Sequence, residues 1–125
     1  MAIRPDRVRI EISYADISGT TFLPSIELPG GACVTGGKFE VIRPAQAGVT
    51  VDIGDDTDDD RYAPDVDAEE VASTPLVPTG FKFAIGGSIG VKFSSAPTKG
   101  AFALEVYFTV AGARALIAGA PFSGS

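Results

Sequence analysis

Short apolar runs of period two recur along the chain, and each is closed by glycine or proline. That pattern restricts what the sequence can fold into more than any motif does. In "RVRIEIS", Val8, Ile10 and Ile12 alternate with Arg7, Arg9 and Glu11. Successive strand side chains point to opposite faces, so this spelling gives one dry and one wet face. "GVTVDI" sets Val49, Val51 and Ile53 against Thr50 and Asp52, and "KFEVI" sets Phe39 and Val41 against Lys38 and Glu40. "GFKFAI" (Phe81, Phe83, Ile85), "IGVKF" (Ile89, Val91, Phe93) and "AFALEVYFTV" (Phe102, Leu104, Val106, Phe108, Val110) repeat the rule. The weaker run Phe22 to Leu28 contains Pro24, which has no N–H to donate and marks an edge strand or a bulge.

The separators "LPGG", "RPAQAG", "IGGS" and "APTKG" are turn chemistry. No stretch holds a 3.6-residue period, and "DAEEVAS" could form one helical turn at most. Seven or eight short strands punctuated this way predict an all-β fold, an antiparallel β-sandwich, jelly-roll-like, rather than alternating βαβ units. Val8, Ile10, Val51, Phe83, Val91, Leu104 and Val106 are the expected interior, with Phe81, Phe93, Phe102 and Phe108 beside them. At 125 residues one domain, residues 1–125, is expected, with an acidic loop at about 54–70. The start lacks a signal peptide's apolar core and no apolar run reaches membrane-spanning length, so the expectation is a soluble protein with no membrane partner.

The acid is concentrated. "DIGDDTDDDRYAPDVDAEE", Asp52 to Glu70, holds ten of the sixteen carboxylates and one cation, Arg61. This grouping and the net charge of −6 argue against a nucleic-acid partner. Three readings compete: a calcium loop, a catalytic carboxylate pair, or a solvated loop that orders a strand connection. Asp56, Asp58 and Asp60 have the alternate spacing of a calcium loop. Counted from Asp56, however, the sixth and twelfth positions hold Arg61 and Asp67, where an EF-hand needs Gly and Glu. Any two of the acids could converge as a general acid and base, but solvated carboxylates lack the burial that tunes a pKa.

Other chemistry fares worse. "GGSIG" around Ser88 matches G-x-S-x-G, yet it sits between two β runs and the chain has no histidine to act as base. It reads as a hairpin turn. "GACVTGGKF" misses a P-loop, with Gly37 where Lys is needed and Phe39 where Ser or Thr is, and it too reads as a turn. One cysteine, Cys33, and no histidine offer zinc too few ligands. No enzyme activity and no cofactor are expected.

"VDIGDDTDDDRYAPDVDAEEVASTPLVPTGFKF", with "IELPGGACVTGGKFEVI" before it and "FALEVYFTVAGAR" after it, resembles a pattern in small structural proteins of tailed bacteriophages. The likeness spans about residues 20 to 114. It implies a virion component at the capsid surface, made in the host cytoplasm, most plausibly a capsid decoration or cement protein. The partner it implies is the major capsid protein, with self-association as a homotrimer favoured over a dimer. A tail or head-fibre module that binds host-surface glycan is the alternative. On this reading the interaction residues are Arg4, Arg7 and Arg9 at one end, and Asp58, Asp59, Asp60 and Arg61 at the other.

Overall fold

The computed structural model describes residues 5–110. In chain order these form β1 (Pro5–Ser13), a 3-10 turn (Tyr14–Asp16), β2 (Leu23–Leu28), β3 (Ala32–Arg43), β4 (Thr50–Asp55) and β5 (Asp58–Asp67). Then come β6 (Ala72–Pro75), β7 (Lys82–Phe83), β8 (Gly87–Phe93) and β9 (Ala101–Val110). The strands make two antiparallel sheets. The first has the order β1-β9-β3-β6, with β7 also paired to β3; the second has the order β2-β8-β4-β5. This is the jelly-roll-like β-sandwich that the alternation predicts. Among the described residues no helix is long and apolar enough to cross a membrane.

The dry faces meet between the sheets. Val34, Phe39 and Val41 of β3 and Phe102, Leu104 and Val106 of β9 are buried against Val51 and Ile53 of β4 and Ile89, Val91 and Phe93 of β8. Aromatic rings join the layers. Phe39 stacks on Phe102 at 5.9 Å between centroids, and Phe93 from the other sheet meets Phe102 at 5.2 Å. Such pairs add modestly to the area they bury. Pro24 stands where its chemistry places it, on the edge strand β2, and the register slips between Pro24 and Ile26.

Five expectations need correction. Val8 keeps the inward phase, opposite Val106, but lies on the edge strand β1 beyond the cover of the second sheet and is 37% exposed. Ile10 is only partly buried for the same reason. Ile85 does not share a face with Phe83, because β7 ends after two residues and the chain turns. "GACVTGGKF" is not a turn: most of it is strand β3, with a register shift between Val34 and Gly36. In "GGSIG", only Gly86 lies in the turn; Gly87 to Gly90 belong to β8.

Leu104 is fully buried in the central strand β9. Leu104→Ala is expected to cost about 2–5 kcal/mol of unfolding free energy by urea titration, the range for emptying a packed leucine site. A loss under about 1 kcal/mol would contradict this strand phase.

Candidate functional site

The acidic window is not a loop. Asp56 and Thr57 make a two-residue turn, and the residues after it form strand β5 at the edge of the second sheet. Aspartate is a poor strand former. Here the strand is held by its partner and by buried anchors, Tyr62, Ala63 and Val66, which carry it against the core. The ladder is irregular: Ile53 faces Ala63 while Asp55 faces Asp58, so β5 carries extra residues between. That excess is folded over Gly54. A Cβ there would lie 2.2 Å from the Asp58 carbonyl oxygen, so only glycine admits the crossing.

Several of these acids accept bonds from the backbone around them. Asp55, only 1% exposed, is the centre of the hairpin. Its Oδ1 accepts from the Thr57 N–H at 3.0 Å, the Thr57 hydroxyl at 2.8 Å and the Asp58 N–H at 2.9 Å. Its Oδ2 accepts from Arg61 Nε at 2.5 Å. Asp52 Oδ1 accepts from the Asp65 N–H at 2.8 Å, where Asp65 sits in the left-handed region at φ 50°. Asp67 takes the Glu69 N–H at 2.8 Å, and Asp56 takes the Ser88 N–H at 3.4 Å. These are the local backbone bonds that make short acids useful at turns and bulges.

Burial pushes the Asp55 carboxyl upward, but Arg61 and the Thr57 bonds outweigh it and hold the group below the ordinary carboxylate range. Burial lowers the Arg61 guanidinium, and Asp55 more than restores it. Arg61 also lies over the Phe81 ring, 3.8 Å from its centroid. Phe81 meets Phe83 edge to face at 5.1 Å. Beside Asp55, the Tyr62 hydroxyl is buried and finds no hydrogen-bond partner among the described residues, and burial raises that phenol well above its usual value.

Asp58, Asp59 and Asp60 converge. A carboxylate oxygen from each lies within 4.8 Å of the others. Lys92 from β8 reaches Asp59 at 3.2 Å. A hydrogen bond with Asp58 raises the Asp60 carboxyl above its normal value, so the two share charge unfavourably. Asp56 is not in this group, so the spaced trio Asp56, Asp58 and Asp60 is not brought together. Three carboxylates from consecutive residues, Asp58 and Asp60 exposed and Asp59 half-buried, supply about half the oxygens that calcium takes.

The basic end reads differently in three dimensions. Arg4 lies outside the described residues. Arg7 and Arg9 point from β1 over the outer face of the first sheet. There Arg7 meets Glu105 at 3.6 Å, and Arg9 meets Glu40 at 2.5 Å and Glu105 at 3.4 Å. Lys38 adds a contact to Glu40 at 3.5 Å. Arg9 pulls the Glu40 carboxyl below its ordinary value. The two arginines are thus tied to acids of their own sheet. Sequence reading missed the burial of Asp55 and of Glu105; the usable signal for Glu105 was a lone charge in an otherwise apolar strand.

No family model matches the sequence, and no curated protein matches it. Solved structures do. A chain of the cyanophage Pam1 capsid asymmetric unit superposes with a TM-score of 0.65 at 16% identity, over 86% of each chain. A chain of the acid-stable capsid of Helicobacter pylori bacteriophage KHP30 gives 0.66 at 16%, over 84% of this chain and 86% of that one. A chain of the Ralstonia phage GP4 capsid gives 0.64 at 18%, over 86% and 84%. At these identities the likeness establishes a shared fold.

Within that fold the Asp55–Arg61 pair makes a measurable claim. Arg61→Leu strands a buried carboxylate and is expected to cost about 3 kcal/mol at neutral pH, the low end for breaking a buried pair. Asp55 titrates lower in the folded chain than in the unfolded one. Its contribution is therefore complete above the unfolded pKa of about 4 and is lost as pH falls through the folded value. The gap between wild type and variant should be full at pH 7 and narrow in acid. A gap independent of pH would show that Arg61 acts by packing on Phe81 and not by charge.

Proposed function

We propose that this chain is a structural protein of a bacteriophage virion, a decoration or cement protein that binds the assembled head and stabilises it. The observation that carries the proposal is the set of capsid neighbours together with their size. Coverage is nearly equal on both sides of each match, so the neighbouring capsid chains are about as long as this one. They are single sandwiches of this dimension found within capsids. A chain that small suits an accessory part that rides on a shell.

The chemistry of the molecule is compatible with that role. Among the described residues the polar clusters are spent on holding the fold: Asp55 on its turn, Glu105 on two arginines, Asp52 on a bulge. Ser88 sits in β8 beside the shallow hollow at Pro24, Ser25 and Glu27, with its N–H on Asp56. We read the protein as a binder without an active site. The partner is the major capsid protein, and a homotrimer matches the three-fold positions of a capsid surface. Affinity then comes from many weak contacts multiplied by copy number.

The exposed part of β5 is the surface we assign to the shell. Asp58 and Asp60 carry unneutralised charge outward, which attracts basic partner groups and is screened beyond about 8 Å at physiological salt. Mixing the purified chain with empty heads of its own phage and pelleting the heads tests this. Saturable co-sedimentation that weakens as salt rises is expected, and its failure at low salt would reject the proposal. Replacing Asp58, Asp59 and Asp60 together with Ser should weaken binding and flatten its salt dependence. Unchanged binding would mean that the ridge is only solvated.

A further inference from the structure

Ile85 is the most exposed large apolar side chain among the described residues, at 96%. Single exposed isoleucines are ordinary. This one is presented by a built tip. Gly86 turns the chain at φ 94°, and a Cβ on it would strike the Leu28 carbonyl oxygen at 2.9 Å. Gly31 N–H donates to the Phe83 carbonyl at 2.7 Å, and Gly86 N–H donates to the same carbonyl at 3.3 Å. The tip is thereby pressed against the Pro29–Gly31 turn by backbone contacts that no side chain cushions. Ile85 stands outward on a rigid support instead of folding back on the sheet.

Next to it is a mostly apolar groove of about 560 Å³, with Phe81 and Phe83 in its wall and Ile85 on its rim. Its charged lining is one cation, Lys82, and one anion, Asp56. Both are exposed, and among the described residues neither makes an ion pair. One molecule therefore carries side by side an apolar projection, an apolar recess, and an unpaired charge of each sign.

We propose that this tip is a docking site for a second copy of the chain, the Ile85 side chain of one copy entering the groove of its neighbour and Lys82 facing the neighbour's Asp56. A second copy is the occupant that the surface itself specifies, because it supplies the projection for the recess and the opposite charge for each charge. Projection and recess share one rim, so a cyclic arrangement satisfies every copy without leaving an open end. The inference rests on the self-association part of the reading above and is independent of the head-binding part.

The test uses the purified full chain without heads, by light scattering and sedimentation equilibrium. Wild type is expected at a multiple of the monomer mass. Ile85→Glu is expected at monomer mass with an unchanged far-UV spectrum, since a side chain this exposed carries no packing. Lys82→Glu alone should raise the dissociation constant by about tenfold or more. Adding Asp56→Lys to it should restore the wild-type value, which a merely structural role for either residue would not do. A wild type that stays monomeric at high micromolar concentration overturns the proposal. So does an Ile85→Glu variant that keeps the wild-type mass; if that variant also fails to pellet with heads, the tip docks on the shell and not on a copy. Loss of head binding with self-association intact in the Asp58, Asp59, Asp60 variant would fault neither the tip nor its partner.

Discussion

A carboxylate buried to 1% exposure needs a donor for nearly every lone pair, and Asp55 organises one end of the sandwich by finding them. Its two oxygens receive two backbone N–H groups, a hydroxyl and a guanidinium. Meeting that demand fixes the β4–β5 turn and the position of Arg61. The Thr57 hydroxyl closes the set, donating to Asp55 while accepting from Arg61 at 3.0 Å. Arg61 then roofs Phe81, which orders the passage into β7. The Val77 N–H on the Tyr62 carbonyl, at 2.9 Å, ties the same passage to β5. A chain of contacts thus runs from a buried acid in one sheet to the tip that carries Ile85 beside the other.

Charge is distributed unequally between the two sheets. On the outer face of the first, Arg7, Arg9 and Lys38 are interleaved with Glu40 and Glu105, and the face is close to neutral. The edge of the second sheet is not balanced, since Lys92 answers only Asp59 and Arg61 is committed to Asp55. Much of the net charge of −6 therefore acts from one edge. Like charges directly exposed on an edge strand also discourage another sheet from pairing there. The acids of the β4–β5 hairpin serve two ends: Asp52 and Asp55 of β4 order its bulge and turn, and the exposed acids of β5 keep the edge from pairing with another sheet.

How legible this was depended on where each residue's constraint came from. β4, β8 and β9 were readable because their burial follows from alternation within the strand itself. β1 was read in the right phase, but whether Val8 is covered depends on how far the opposite sheet extends, which no local pattern encodes. β5 was hidden. "DDDRYAP" has neither alternation nor propensity, and it is a strand because β4 offers a ladder and Tyr62 and Val66 find the core. Pro24 announced its edge and its bulge through a missing donor, a property of one residue. Asp55 was indistinguishable by type from nine neighbouring acids; only the fold of the turn decides which one is buried. The counter-charges of the basic end were hidden for a similar reason, because the acids that balance Arg7 and Arg9 come from β3 and β9.

The capsid neighbours share this fold at 16–18% identity, so what they have in common is the backbone architecture, and surfaces are free to differ. In this chain the distinctive surfaces adjoin. Asp56 begins the acidic ridge and also lines the groove beneath Ile85. A neighbour that places Lys82 against Asp56 neutralises the first carboxylate of the ridge. The repulsion along the remaining acids falls by that one charge, and the proposed ring would present the ridge in several copies around one axis. Head binding and self-association, as proposed, would then meet at one residue, and whatever coupling it carries is equal in both directions. A shell that offers several equivalent sites would select the assembled ring over the single copy, since each added contact acts at the high effective concentration set by the first.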